Sequence, residues 1–279
     1  MAIPAGGRVD LARAKAAPHT SRIIKAGALL ADTKLLLASW DESLSTERNL
    51  RAALDRNVLG KASRSRVEDI LGIFRRRYLS DPQVAAALVR LVKGNLPAEA
   101  LDSILYFHAA RADAVLHDVV TDILWPLHER GLREVRLGDI LEVLSGWVAR
   151  RRMGHDWSPS TMERVAQGVL ATLRDFGVLE GAVRKRLAAP KKMAPAAFAY
   201  AAFVLARDTA SGARLVSHPE WRLFLLGQTA VELLFMEAHQ EGLLHYSAAG
   251  RVVRVDFPAR TVGEYADAIL ERAHRTAGA

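Results

Sequence analysis

The residues of this chain with the most evident chemical potential are its arginines and lysines, and the chemistry they could do is to bind a polyanion. Lys61, Ser63, Arg64, Ser65 and Arg66 stand at the start of a helical stretch that ends Arg75-Arg76-Arg77. The free backbone N–H groups of such a helix start, beside these side chains, make a site for a backbone phosphate. On a helical wheel Arg76 points away from the apolar stripe, with Arg64 and Arg75 on one flank and Arg66 and Arg77 on the other. A second group begins with Arg150, Arg151 and Arg152, continues along a helix whose outer face carries Ser160, Thr161, Arg164, Gln167, Gly168, Ala171 and Arg174, and ends in Arg184, Lys185, Arg186, Lys191 and Lys192. Arginine and hydroxyls suit phosphates, small residues allow close approach to a groove, and an amide such as Gln167 can pair with an adenine edge. A blander reading stands beside each. The first group could pair locally with Asp55, Glu68 and Asp69, and the second could be an ordinary exposed helix followed by a solvated loop.

Other chemistries lack their residues. Gly60-Lys61-Ala62-Ser63 suggests a phosphate loop, but the glycine needed five residues earlier is Asp55 and the hydroxyl needed after the lysine is Ala62. No nucleophile-elbow, dinucleotide-binding or His-Glu-x-x-His pattern occurs. With no cysteine, thiolate metal sites, disulfides and a cysteine nucleophile are excluded. The nine histidines are scattered, and His239 with His245 lacks the spacing that aims two rings at one metal. Asp32-Thr33-Lys34 resembles a fragment of a nuclease site without its second acid, and reads better as a surface charge pair. The expectation is therefore no catalytic residue, no metal, no cofactor and no small-molecule substrate.

The elements that must position these cations are almost all helices. Leu29, Leu30, Thr33, Leu36, Leu37 and Trp40 form one buried stripe, and Val67, Ile70, Leu71, Phe74 and Tyr78 form another. Capping boxes are expected at Ser65/Glu68, Ser160/Glu163, Ser217/Glu220 and Thr261/Glu264, with Pro82, Pro97, Pro159 and Pro219 near helix starts. Hairpins are expected for Leu243–Tyr246 with Arg251–Val255, after a long Pro219–Gln240 helix, and for Val178-Leu179 with Val183–Leu187. The longest apolar run, Met193 to Ala206, has 14 residues and contains Pro195, short of the ~20 needed to span a membrane, so it reads as a buried helix.

Of 279 residues half are apolar and a quarter charged, enough for a real core. The net charge of +8 is uneven: residues 44–80 hold nine bases against four acids, and residues 137–192 ten against six. One sign gathered in one place suits a polyanion partner. The fold expected is mainly α in two helical domains, residues 20–135 and 136–279, after a disordered leader at 1–19. The second domain carries a winged helix-turn-helix-like element and short β-hairpins. The first thirty residues contain no apolar secretory core, so the protein is expected in the cytoplasm.

The run Asn57-Val58-Leu59-Gly60-Lys61 with Ser63, Ser65-Arg66 and Arg77 resembles the N-terminal motif of the BrxA proteins of bacteriophage exclusion (BREX) systems. Trp157-Ser158-Pro159-Ser160-Thr161, Asp175-Phe176-Gly177-Val178-Leu179, Ser217-His218-Pro219-Glu220-Trp221 with Phe224, and Gly250-Arg251-Val252-Val253-Arg254 follow in that family's order, over about residues 20 to 270. The resemblance implies a small, non-enzymatic, mainly helical protein with helix-turn-helix-like parts. It also implies duplex-DNA binding in the service of a multi-protein defence system with a DNA methyltransferase and ATPases. Some members carry an inner-membrane label, which the apolar-run arithmetic argues against here. The function expected is duplex-DNA binding through phosphates, with other BREX subunits as further partners. Two alternatives are an assembly protein docking those subunits and an RNA-binding helical module.

Overall fold

The computed structural model describes residues 18–149, 156–188, 193–250 and 252–277. Two largely buried helices lie at its centre. The first, α6 (Ala98–Ala112), buries nearly every side chain from Leu101 to Ala110 apart from Asp102 and Ser103. It packs against α11 (Pro195–Ala206), the run expected to be a buried helix, whose residues Ala197 to Leu205 are all buried.

The N-terminal half wraps α6 with α1 (Ile23–Ala26), α2 (Leu30–Ala38), α3 (Thr46–Asp55), α4 (Arg64–Tyr78) and α5 (Pro82–Lys93). Both expected stripes are inward: Thr33, Leu36 and Leu37 on α2, and Val67, Ile70, Leu71, Phe74 and Tyr78 on α4. After α6 come α7 (Ala114–Val119), a π-turn at Val120–Leu124 and α8 (Trp125–Glu129). Pro126 explains the π-turn. It has no N–H to return to the preceding turn, and the Trp125 N–H instead reaches the Val120 carbonyl.

Strand β1 (Glu134–Val135) precedes α9 (Leu137–Ala149) and α10 (Pro159–Asp175), and β2 (Leu179–Glu180) and β3 (Lys185–Leu187) follow. The three strands form one antiparallel sheet in the order β1-β3-β2. The expected hairpin is thus real but has a third strand. Two residues are too few to show alternation, so β1 left no sequence signal. The expected division after residue 135 falls at the end of β1, and one hydrophobic cluster runs from Ile23 to Ile269 across it.

Beyond α11 the chain forms α12 (Gly212–Val216), a 3-10 helix (Pro219–Phe224), α13 (Gln228–Gln240), the hairpin β4 (His245–Ala249) with β5 (Val252–Asp256), and α14 (Val262–Ala277). The single Pro219–Gln240 helix expected from sequence is broken, because Leu225 adopts a left-handed φ of 54° and Gly227 caps a new helix. Helix α14 returns to the N-terminal half and packs on α5, with Arg90 bonded to Asp267 at 2.6 Å.

Three of the four expected capping boxes move. Ser63, not Ser65, caps α4, Ser158, not Ser160, caps α10, and His218, not Ser217, caps the 3-10 helix. Only Thr261 and Glu264 form the reciprocal pair, each accepting from the other's backbone N–H.

A short strap, residues 18–28, joins the two halves that carry the basic groups. Gly168 on α10 lies against it, where a Cβ would sit 3.2 Å from the Ile23 carbonyl oxygen. The sequence reading placed Gly168 on a groove-facing surface; the structure assigns it to this close helix contact instead. Gly168→Val is expected to lower stability by about 1–3 kcal/mol through overpacking. An unchanged urea midpoint would refute this reading of the contact.

Candidate nucleic-acid interface

The turn before α4 is built from its own side chains. Asn57 adopts φ 44° and Gly60 φ 60°, and the Asn57 amide brackets Lys61, accepting from its N–H at 3.1 Å and donating to its carbonyl at 3.0 Å. Lys61 Nζ lies 2.8 Å from Asp32, so its charge is already answered. Arg64 is shared between Glu68 at 3.2 Å and Asp55 at 3.7 Å, as the local-pairing reading anticipated. Arg66 donates to the Lys25 carbonyl at 2.8 Å, tying α4 to the strap. Arg77 is buried and donates to the carbonyls of Gly27 and Ala28, which makes it a structural strut.

Ser63 spends its hydroxyl on the cap, while Ser65 is exposed on the first turn. Arg76 is exposed and makes no hydrogen bond or ion pair among the described residues. Partial burial and the nearby Arg22 lower its pKa, yet a guanidinium starts so high that it stays charged.

On α10 the apolar face runs Val165, Ala166, Val169, Leu170 and Leu173, all buried. The opposite side divides in two. Gly168 and the fully buried Thr172 face inward, and Arg164, Gln167 and Arg174 remain exposed. Arg174 pairs with Asp175 at 2.7 Å. Thr161 is drawn into the helix cap, its hydroxyl 3.0 Å from that of Ser158. Gln167 donates to Glu163 at 3.2 Å, and Arg164 has no partner among the described residues.

The hairpin carries less free charge than its sequence suggests. Arg186 faces Glu134 on one neighbouring strand and Glu180 on the other, with Glu180 3.7 Å away. No acid lies between Gly181 and Leu187, but Glu180 on β2 and Glu134 on β1 lie opposite Arg186. Arg133 and Arg136 pair with these same glutamates, and the hydrogen bonds from Arg136 hold the Glu134 carboxyl below its ordinary pKa. Lys185 folds its ammonium back onto the carbonyls of Gly181 and Ala182. Arg184 alone of the three is exposed without a hydrogen bond or ion pair among the described residues.

Arg184, Val183 and Arg136 share with Gln167, Ala171 and Glu134 a groove of about 330 Å³ between α10 and the sheet. The structure therefore brings Gln167 to the hairpin. It does not place Lys61, Ser63, Arg64, Ser65, Arg66 or Arg76 in that groove; α4 and α10 are instead joined through α1, which packs on both. Arg151, Arg152, Lys191 and Lys192 lie outside the described residues.

A buried ionic chain escaped the sequence reading. His19 Nε2 lies 2.9 Å from Asp118, Asp118 lies 2.9 Å from His117, and His117 Nε2 lies 3.0 Å from Glu220, which Arg111 approaches at 3.4 Å. His19, the last residue assigned to a disordered leader, is buried, its ring tilted against that of Trp147 with the centroids 4.4 Å apart. Burial opposes charge on His117, but the hydrogen bonds and attraction of Asp118 and Glu220 outweigh it and push its pKa up to about 9. The sequence signal was available: His117-Asp118 interrupts an otherwise apolar run from Ala114 to Val120. Among the described residues no group of three or more His, Asp or Glu side chains could hold a metal. No described helix is long and apolar enough to cross a membrane.

These features define a mainly α-helical protein with a small three-stranded sheet and exposed arginines on α4, α10 and one hairpin. Residues 17–201 match the BrxA family, and the chain belongs to it. That membership associates it with bacteriophage exclusion systems. No curated protein matches the chain.

Proposed function

We propose that this protein is a non-enzymatic, duplex-DNA-binding accessory of a BREX defence system, gripping DNA mainly through its phosphates. The observation that carries the reading is the order helix, strand, helix, helix, hairpin from α8 to β3, with its sheet in the order β1-β3-β2. That order resembles a winged helix-turn-helix, and in this reading α10 is the recognition helix and the β2–β3 hairpin the wing. Arg164 on the helix and Arg184 on the wing supply free guanidinium groups, and Gln167 between them is the side chain best suited to a base edge. Arg76 on α4 adds a second point of attachment. Other BREX subunits remain further partners in this reading, and the cytoplasm its place of action.

The test is fluorescence anisotropy on duplex DNA, single-stranded DNA and duplex RNA across a salt series. Duplex DNA is expected to bind best, with log affinity falling against log salt at about −0.9 per phosphate engaged, and site selection is expected to return no strong consensus. Tighter binding to RNA would favour the RNA-binding module. No nucleic-acid binding, with retention of other subunits in pull-downs, would favour an assembly role.

A further inference from the structure

The wing tip is a tight turn with only two side chains to offer. Gly181 adopts φ 93°, and a Cβ there would collide with the Arg184 carbonyl oxygen, so the turn closes on itself. Lys185 clamps the turn from behind through the carbonyls of Gly181 and Ala182. Arg186 pairs with Glu180 at 3.7 Å. What projects is Arg184, with no ion pair among the described residues, and Val183, which is 93 % exposed. An exposed valine alone is unremarkable. Beside a free guanidinium, on a stiffened tip of otherwise small residues, it makes a narrow probe that is apolar on one side and cationic on the other.

We infer that this tip reads the minor groove of A·T-rich duplex DNA, with Arg184 reaching into the groove and Val183 packing on its sugar walls. The inference rests on the proposed DNA binding and adds the class of duplex. The minor groove is only about 6 Å wide, which suits a two-residue probe and excludes a helix. In A·T-rich tracts it narrows and its negative potential deepens, which draws in arginine in particular. Guanine blocks its floor with an exocyclic amine, so the groove separates A·T from G·C without yielding a consensus sequence. An arginine at the tip has one rival destination, the O6 and N7 atoms of guanine in the major groove.

Inosine distinguishes the two grooves, because an I·C pair keeps guanine's O6 and N7 but lacks the minor-groove amine. Affinities of the full chain for A·T, G·C and I·C duplexes of equal length would be measured at one salt concentration. The expected result is that A·T and I·C bind alike and about tenfold more tightly than G·C. Arg184→Lys is expected to keep the G·C affinity and lose most of that preference, since an ammonium is more strongly hydrated and lacks the planar fork. Val183→Ser is expected to reduce it in part, with the melting temperature checked for each variant. Equal binding to all three duplexes, I·C behaving as G·C, or an undiminished preference in Arg184→Lys would overturn the inference while leaving DNA binding in place. Binding to no duplex would overturn the proposed function and this inference together.

Discussion

Asp118→Ala is expected to lower the melting temperature by about 10 °C, the largest effect on stability of any substitution considered. The Asp118 carboxylate is buried and accepts from both His19 and His117 at 2.9 Å. Removing it leaves two buried rings without their acceptor, and breaking a buried ion pair in this way costs about 3–5 kcal/mol. In a chain of this size each kcal/mol shifts the midpoint by roughly 2–4 °C at most. The pH profile should change as well. The His117 pKa is raised, so its contribution is complete below its ordinary value of 6.5 and is lost as pH rises through about 9. The Asp118 pKa is lowered, by hydrogen bonds from His117 and His19 that overcome the opposing effect of burial. Its contribution is present above the ordinary 3.8 and is lost as pH falls through the depressed value. With Asp118 gone, His117 keeps Glu220 alone as its acid, so alkaline destabilisation should begin at lower pH. Melting curves between about pH 5 and 10 check both points. A variant that melts with the parent, or whose alkaline limb is unmoved, would show the chain to be energetically idle.

The largest effect on binding is expected from replacing Arg76, Arg164 and Arg184 together with alanine. None has a hydrogen bond or ion pair among the described residues, so each is available to the DNA, Arg76 and Arg164 at phosphates and Arg184 at the wing tip. Three lost cationic contacts should make the slope of log affinity against log salt shallower by about two to three. Near 0.1 M salt that amounts to a loss on the order of 100-fold. Folding should change little, since exposed charges contribute within about half a kcal/mol. The informative control is the triple variant Arg64, Lys185 and Arg186 to alanine. These residues are already engaged with Glu68 and Asp55, with turn carbonyls, and with Glu180, so their loss should cost about tenfold or less. Equal effects of the two sets would mean that internal pairing does not rank these cations.

Much of the architecture was legible because the signals are local. The stripes on α2 and α4 and the all-round apolar α11 follow from a period of 3.6 residues, which needs only a dozen residues to show itself. The two-residue strand β1 fell below that length. The break at Leu225 to Gly227 was hidden because the flanking apolar residues keep helical spacing on both sides. Two caps moved because several serines lie near each helix start and only the backbone path decides which of them meets a free N–H, and the third passed to His218, whose Nδ1 accepts from the Glu220 N–H.

By itself the sequence determined that the chain is mainly helical, that its cations gather in two regions, and the ordered motifs that resemble the BrxA family. Which cations remain free was decided by tertiary structure alone. Lys61 meets Asp32 from another helix, Arg186 meets Glu180 across a strand pair, and Arg66 is drawn to a carbonyl of the strap. Charge composition is additive along a chain, whereas charge neutralisation depends on approach within a few ångström, so residues equal in sequence become unequal in space. The buried chain from His19 through Asp118 and His117 to Glu220 has the same origin: it joins residues about a hundred positions apart on either side of α7, and nothing short of the folded core brings them into contact.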